Sequence, residues 1–387
     1  MRYLFLLVPL AGAAIVYSIG YTSYTLLLDL ILAFFFVLGM LIVLRGQSRD
    51  AALVLASIFF CLVAIEAYQV FANTRTIAEQ PKEFAGSKPV LGWGALTPGS
   101  FVAKKVDAKT GQLIYDVTYT VDDHLLRKTN SSESGPTIAF FGDSFAFGEG
   151  LRDGETLPQL FSDLEGGKLR VLNFAFSGYG PQHVLRALET RLYDSLLGDS
   201  RLFVYETAPW HAERTACTPS FMLRAPRYVL KEGRVTYAGA CAEGLTRLLR
   251  EIIGHSTAFR TLVQPAEGTP TRADVELYIA TILRAVNLAR EQHHVPTLVL
   301  YLPISYIYSL ENYLQKSGYT DQEIMQKLRD GGAEVIDGTL KPTDYPQLVL
   351  NIPGDGHPTG AANRLWAEMI KGWWDAHAQT LLGASAH

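Results

Sequence analysis

The sequence predicts an α/β domain with a parallel five-stranded sheet, preceded by transmembrane helices. Two observations lead to this. From residue 136 onward, short strand-like runs alternate with helix-like segments, the rhythm of a parallel sheet covered by helices on both faces. Before residue 73 the chain is strongly apolar, which lifts the hydrophobic content of all 387 residues to 48%. A narrower feature centres the domain: the apolar run Ile138–Phe141 stops abruptly at Gly142-Asp143-Ser144. A serine just past a buried strand sits at the carboxyl edge of a sheet, where open α/β folds bind ligands.

Three apolar stretches come first, Tyr3 to Gly20, Tyr24 to Leu44 and Ala51 to Phe71. Each approaches or reaches the roughly 20 residues that cross a hydrocarbon core. Residues 1–72 are therefore expected to be an anchor of three transmembrane helices, with the lipid bilayer as partner. The alternative for the first stretch is a cleaved signal peptide behind Met1-Arg2. Arg2, Arg45 and Arg49 place the N-terminus and the second loop in the cytoplasm. Everything after the third span is then extracytoplasmic, which in a bacterium means a multi-pass inner-membrane protein with its main domain in the periplasm or outside.

Residues 73–135 read as a linker and small β region. Pro81, Gly86 and Pro89 mark the linker. Lys109-Thr110-Gly111-Gln112 suits a turn, and Leu113–Val121 has the β-branched and aromatic bias of a strand.

The domain itself is expected over 136–387. Its strands are Thr137–Phe141, Arg170–Phe176, Leu202–Tyr205, Thr297–Leu302 and Ala333–Ile336. Helices are expected near 155–165, 181–197, 272–292, 320–330 and 359–381. The second carries Val184, Leu185, Leu188, Leu192, Leu196 and Leu197 on one stripe behind Pro181. Residues 215–270 break the rhythm and read as an insertion. Cys217 and Cys241 flank part of it, and in an oxidising compartment they should form a disulfide. The alternative is two unrelated buried thiols.

Three motifs follow one another in strand-end or helix-start positions: Gly142-Asp143-Ser144, Asn173-Phe174-Ala175-Phe176-Ser177-Gly178 and Asp355-Gly356-His357-Pro358. In this order, over about 136–381, the chain resembles the SGNH (GDSL-type) hydrolases and O-acyltransferases, in particular their membrane-anchored bacterial type. The resemblance implies a flavodoxin-like three-layer fold and a serine nucleophile acting on esters. Ser144 would attack, with His357 as base and Asp355 orienting the imidazole. The backbone amides of Ser144 and Gly178 match the family's oxyanion donors. Members more often show Asp-x-x-His, so the shorter Asp-x-His spacing is a departure here. A second departure is the family's third donor, an asparagine after the third strand, which is missing from Tyr205–Arg214. His211 is expected to replace it by pointing into the Ser144 pocket, and Arg214 to bind an anionic or hydroxyl-rich part of the substrate.

The net charge of −4, with no long run of one sign, gives no surface for nucleic acid. No cofactor is called for. His293-His294 lacks a carboxylate–histidine grid, so no metal is expected either. The expected activity is that of a serine esterase or O-acyltransferase on acyl esters, acetyl included, of surface carbohydrate. A catalytically silent scaffold or glycan-binding component working with polysaccharide-assembly partners is the competing reading.

Overall fold

The computed structural model describes residues 4–19, 25–73, 76–263, 269–303 and 312–383. The chain divides into two compact units, Met1–Arg75 with Ala242–Glu267, and Thr76–Cys241 with Gly268–His387. The second part of the expected insertion is thus gathered with the N-terminal helices, and the small β region with the α/β domain.

In the first unit the helices are α1 (Leu4–Ile19), α2 (Thr25–Val43) and α3 (Gln47–Asn73). Among the described residues two of them, α2 and α3, are long and apolar enough to cross a membrane. As described, α1 spans only 16 residues, about 24 Å against a core of roughly 30 Å. Three spans were expected, and two meet the test.

The second unit opens with β1 (Thr76–Glu79), β2 (Ala85–Lys88), β3 (Gly92–Ala95), β4 (Gly99–Asp107) and β5 (Leu113–Val121). β4 and β5 form an antiparallel hairpin, with β1 added at the edge of β4, and β2 pairs with β3. The expected linker therefore holds two strands. It also supplies Phe84, which is buried among Phe101, Tyr119, Phe147 and Phe176. One buried aromatic is enough to dock a segment whose composition otherwise reads as polar.

The α/β core follows: β6 (Thr137–Phe141), α4 (Ser144–Phe147), α5 (Leu157–Leu164), β7 (Arg170–Asn173), α6 (Pro181–Glu189), α7 (Asp194–Leu197) and β8 (Ser200–Thr207). Next come α8 (His211–Thr215), the hairpin β9 (Pro226–Lys231) and β10 (Arg234–Ala240), and α9 (Gly244–Gly254) of the first unit. The core closes with α10 (Arg272–His293), β11 (Thr297–Tyr301), α11 (Asp321–Asp330), β12 (Glu334–Asp337) and α12 (Gly360–Gly383).

The five-stranded sheet has the order β12-β11-β8-β6-β7, every pair parallel. This is the flavodoxin-like order, and its switch point lies between β6 and β8. Helices α6, α10 and α11 cover one face and α5 and α12 the other. Both faces are therefore dry, and β6 is accordingly buried throughout rather than alternating.

The helix expected over 181–197 is broken in two. Arg191 adopts φ +55°, the Leu192 amide donates to Ala187 O at 2.9 Å and the Arg191 amide to Leu188 O at 3.1 Å. That pair of bonds is a Schellman stop, here without the usual glycine. Periodicity alone continued across the break, because Leu196 and Leu197 return to the same core.

Cys217 and Cys241 form the expected disulfide, with Cα atoms 5.4 Å apart. It packs on Met222 and Ala225 and against Trp93 of β3.

Candidate active site

Ser144 is the first residue of α4, at the carboxyl end of β6 beside the switch point. Its Oγ donates to His357 Nε2 at 2.9 Å. On the other side of the ring, Nδ1 donates to Asp355 Oδ2 at 2.5 Å. The carboxylate fixes this tautomer, leaving Nε2 as the acceptor for the serine proton. The short Asp-x-His spacing works because Gly356, at φ +95°, curls the chain between the two side chains. The Ile352 amide donates to His357 O at 2.7 Å and closes the turn.

Burial would raise the Asp355 pKa, but hydrogen bonds from His357 and Lys105 outweigh it and hold the carboxyl at about 2. For His357 burial favours the neutral ring, yet the Asp355 bond and the nearby Glu149 carboxylate lift its pKa above the ordinary value. Opposite charges close by in a poorly solvated site account for both directions.

Gly178 follows β7 at φ +82°. A Cβ there would stand 3.2 Å from Trp93 Cζ2 and 3.3 Å from Phe221 Cε2, so two aromatic rings flank this backbone. Among the described residues neither the Ser144 nor the Gly178 amide has an acceptor. The loop is held from behind. His183 Nδ1 accepts from the Gly180 amide at 3.0 Å, Trp93 Nε1 donates to Ser177 O at 2.9 Å, and Arg214 Nη1 donates to Tyr179 O at 2.6 Å. Burial pushes the His183 pKa down to about 3, so its ring stays neutral.

His211 and Arg214 are not where the sequence suggested. His211 is wholly buried, and its Nε2 donates to Asp143 Oδ2 at 3.1 Å while Nδ1 accepts from Thr207 Oγ1 at 2.9 Å. It has no surface from which to reach a substrate. Arg214 Nη1 lies 2.6 Å from the same Asp143 oxygen, and Trp210 Nε1 donates there as well at 3.1 Å. Phe145 N adds a bond to Asp143 Oδ1 at 2.8 Å. Burial opposes charge on Asp143, but Arg214 and His211 reverse that and hold its pKa well below the usual carboxylate range. The two residues thus serve the carboxylate preceding the serine, not the pocket. The physical reason is that an uncompensated buried carboxylate is far costlier than an unfilled donor position at a wet site.

Beside Asp143, Glu206 takes the Asp143 amide on Oε2 at 3.1 Å. Its pKa is driven well up by burial and by the Asp143 charge. Asp143, Glu206 and His211 bring their ligand atoms within 4.8 Å of one another, as in a metal site, but the Arg214 guanidinium already lies on Asp143 Oδ2, and a cation beside it would be repelled.

Three residues of the site were not singled out from the sequence. Lys105 of β4 pairs with Asp355 Oδ1. Glu149 Oε2 lies 3.8 Å from His357 Nε2 and accepts from Ser177 Oγ at 2.7 Å. Phe221 stands beside Gly178, on the loop behind Cys217. Lys105 carried no local signal, being one of two adjacent lysines in an ordinary strand. Glu149, between two glycines five residues after Ser144, was the more readable.

The fold and this array define a three-layer α/β protein with a serine–histidine–aspartate relay at its switch point. No family model matches the chain, and no curated protein matches it. Solved structures do. A lipolytic protein of the G-D-S-L family from Veillonella parvula is similar at 13% identity, over 62% of this chain and 99% of that one, with a TM-score of 0.38. A psychrotrophic esterase from Pseudoalteromonas is 16% identical over 62% of this chain and 98% of its own, TM-score 0.36. An acetylxylan esterase from Geobacillus stearothermophilus is 12% identical over 67% and 98%, TM-score 0.34.

Proposed function

We propose that the protein is a membrane-anchored serine esterase or O-acyltransferase of the SGNH type, acting on acyl esters of surface carbohydrate outside the cytoplasm. The observation that carries the reading is the relay from Ser144 Oγ through His357 to Asp355, at 2.9 and 2.5 Å. In this mechanism His357 Nε2 takes the serine proton as Oγ bonds to the carbonyl carbon. The oxyanion forms against the free amides of Ser144 and Gly178. His357 then returns the proton to the leaving alkoxide, and the acyl group stays on Ser144. Water or a sugar hydroxyl, deprotonated by His357, attacks the acyl-enzyme and frees the serine.

The exposed Phe221 and the neighbouring Trp93 support a carbohydrate on this side, since aromatic faces stack on sugar rings. Helices α2 and α3 support the anchor. The disulfide supports an oxidising compartment. The experiment is labelling of the purified chain by a fluorophosphonate probe, alongside turnover of 4-nitrophenyl acetate. Both are expected, and both should vanish in Ser144→Ala. One observation favours the silent-scaffold reading: His211, the side chain expected as a third oxyanion donor, is turned inward onto Asp143. A wild-type chain that neither labels nor turns over would decide for the scaffold.

A further inference from the structure

We infer that α9 lies flat on the bilayer surface, its apolar face sunk into the boundary between headgroups and acyl chains. The inference rests on the membrane-anchored reading above and adds a contact outside the N-terminal helices. Along α9, Leu245, Leu248, Leu249, Ile252 and Ile253 recur at helical spacing and form one stripe. No residue of the helix is buried, and the stripe ranges from 42% exposed at Ile252 to 69% at Leu245. A contiguous face of five large aliphatic side chains is not one a protein leaves in water. Arg247, Arg250 and Glu251 lie on the opposite half of the helix, Arg247 paired with Glu251 at 3.9 Å, so the charged side faces headgroups and water if the stripe points into lipid.

Two observations make lipid the occupant. The first is attachment: residues 242–267 belong to the same compact unit as α1, α2 and α3. Glu66, buried on α3, accepts from Ser256 Oγ at 2.7 Å, Thr257 N at 2.5 Å and Ala258 N at 3.1 Å. Thr261 Oγ1 donates to Gln69 Oε1 at 3.1 Å. The segment just after α9 is thus fastened to a spanning helix by a carboxylate that would otherwise be unsatisfied in an apolar surrounding. The second is depth. Glu66 precedes the last residue of α3, Asn73, by seven positions, about 10 Å along the axis. Interfacial helices seat their apolar faces at about 5–10 Å. Leu262 and Val263, in the segment that follows, are exposed as well.

The test uses the full chain in nanodiscs of phosphatidylcholine and phosphatidylglycerol, in a Cys61→Ser background. One nitroxide is placed at Leu249→Cys, at Arg247→Cys, or at Ile58→Cys in α3, and its collision rates with oxygen and with a neutral nickel chelate are compared. The oxygen-to-nickel ratio at Leu249→Cys should exceed that at Arg247→Cys several-fold and approach that at Ile58→Cys. If Leu249→Cys matches Arg247→Cys while Ile58→Cys reads as lipid, the inference fails and the anchor stands. If Ile58→Cys also reads as aqueous, the anchor fails and the inference falls with it. A label at Leu249→Cys shielded from both reagents means that a second copy or another protein covers the face, and this too overturns the inference.

Discussion

Lys105 of β4 and His357 Nδ1 share the two oxygens of Asp355, Lys105 on Oδ1 and the imidazole on Oδ2. The small β region therefore reaches the carboxylate that sets the ring. Lys105 is a positioning residue in this arrangement. Its positive charge also opposes protonation of the imidazole. Lys105→Met should raise the His357 pKa further, so the acid limb of kcat/KM for 4-nitrophenyl acetate moves to higher pH. A loss of about tenfold near neutrality, equivalent to ~1.4 kcal/mol of barrier, is the expected size. A uniform loss with an unmoved limb would mean that Lys105 only packs.

Glu149 should act with the opposite sign. Its carboxylate, 3.8 Å from Nε2, favours the charged ring. Since the base must be neutral to accept the serine proton, Glu149→Gln should move the acid limb of kcat/KM to lower pH while keeping an acceptor for Ser177. Two variants with limbs displaced in opposite directions would be hard to explain by general disruption.

The Asp143 cluster is expected to be a matter of stability. Arg214→Met leaves a buried carboxylate without its guanidinium, which typically costs about 3–5 kcal/mol. His211→Ala removes a second donor to the same group and should cost about 1–3 kcal/mol. Chemical denaturation measures both. A His211→Ala enzyme with unchanged stability and a kcat lowered by about 10²–10³ would instead restore it as an oxyanion donor.

The disulfide links stability to the site. Reduction of Cys217–Cys241, or Cys217→Ser with Cys241→Ser, releases a loop of sequence separation 24, worth about 3 kcal/mol in the chain-entropy model. Because the bridge packs on Met222 and Trp93, beside Phe221 and Gly178, kcat/KM should fall together with Tm. Thermal melts and turnover with and without dithiothreitol check this. A lowered Tm with unaltered turnover would show that the loop does not shape the pocket.

Much of this was determined by the sequence itself. Strands buried on both faces must be continuous apolar runs, so β6, β8 and β11 stood out. Capped helices with one apolar stripe did as well. Ser144, His357 and Asp355 were marked by three motifs whose order along the chain resembles that of the SGNH hydrolases. What the tertiary structure decided was whatever depends on partners distant in sequence. Lys105 meets Asp355 across 250 positions, and nothing local to either marks the pair. Arg214 and His211 lie on α8, and their place after the third strand suggested a substrate contact for the one and an oxyanion donor in the other. Which way they turn is set by Asp143, whose buried charge has to be compensated by donors from another element. Likewise nothing local to Glu66 names its partners, residues 256–258, which lie 190 to 192 positions on. Periodicity reports which face of an element is dry. The far-off group that satisfies a buried charge is settled only when the chain has closed around it.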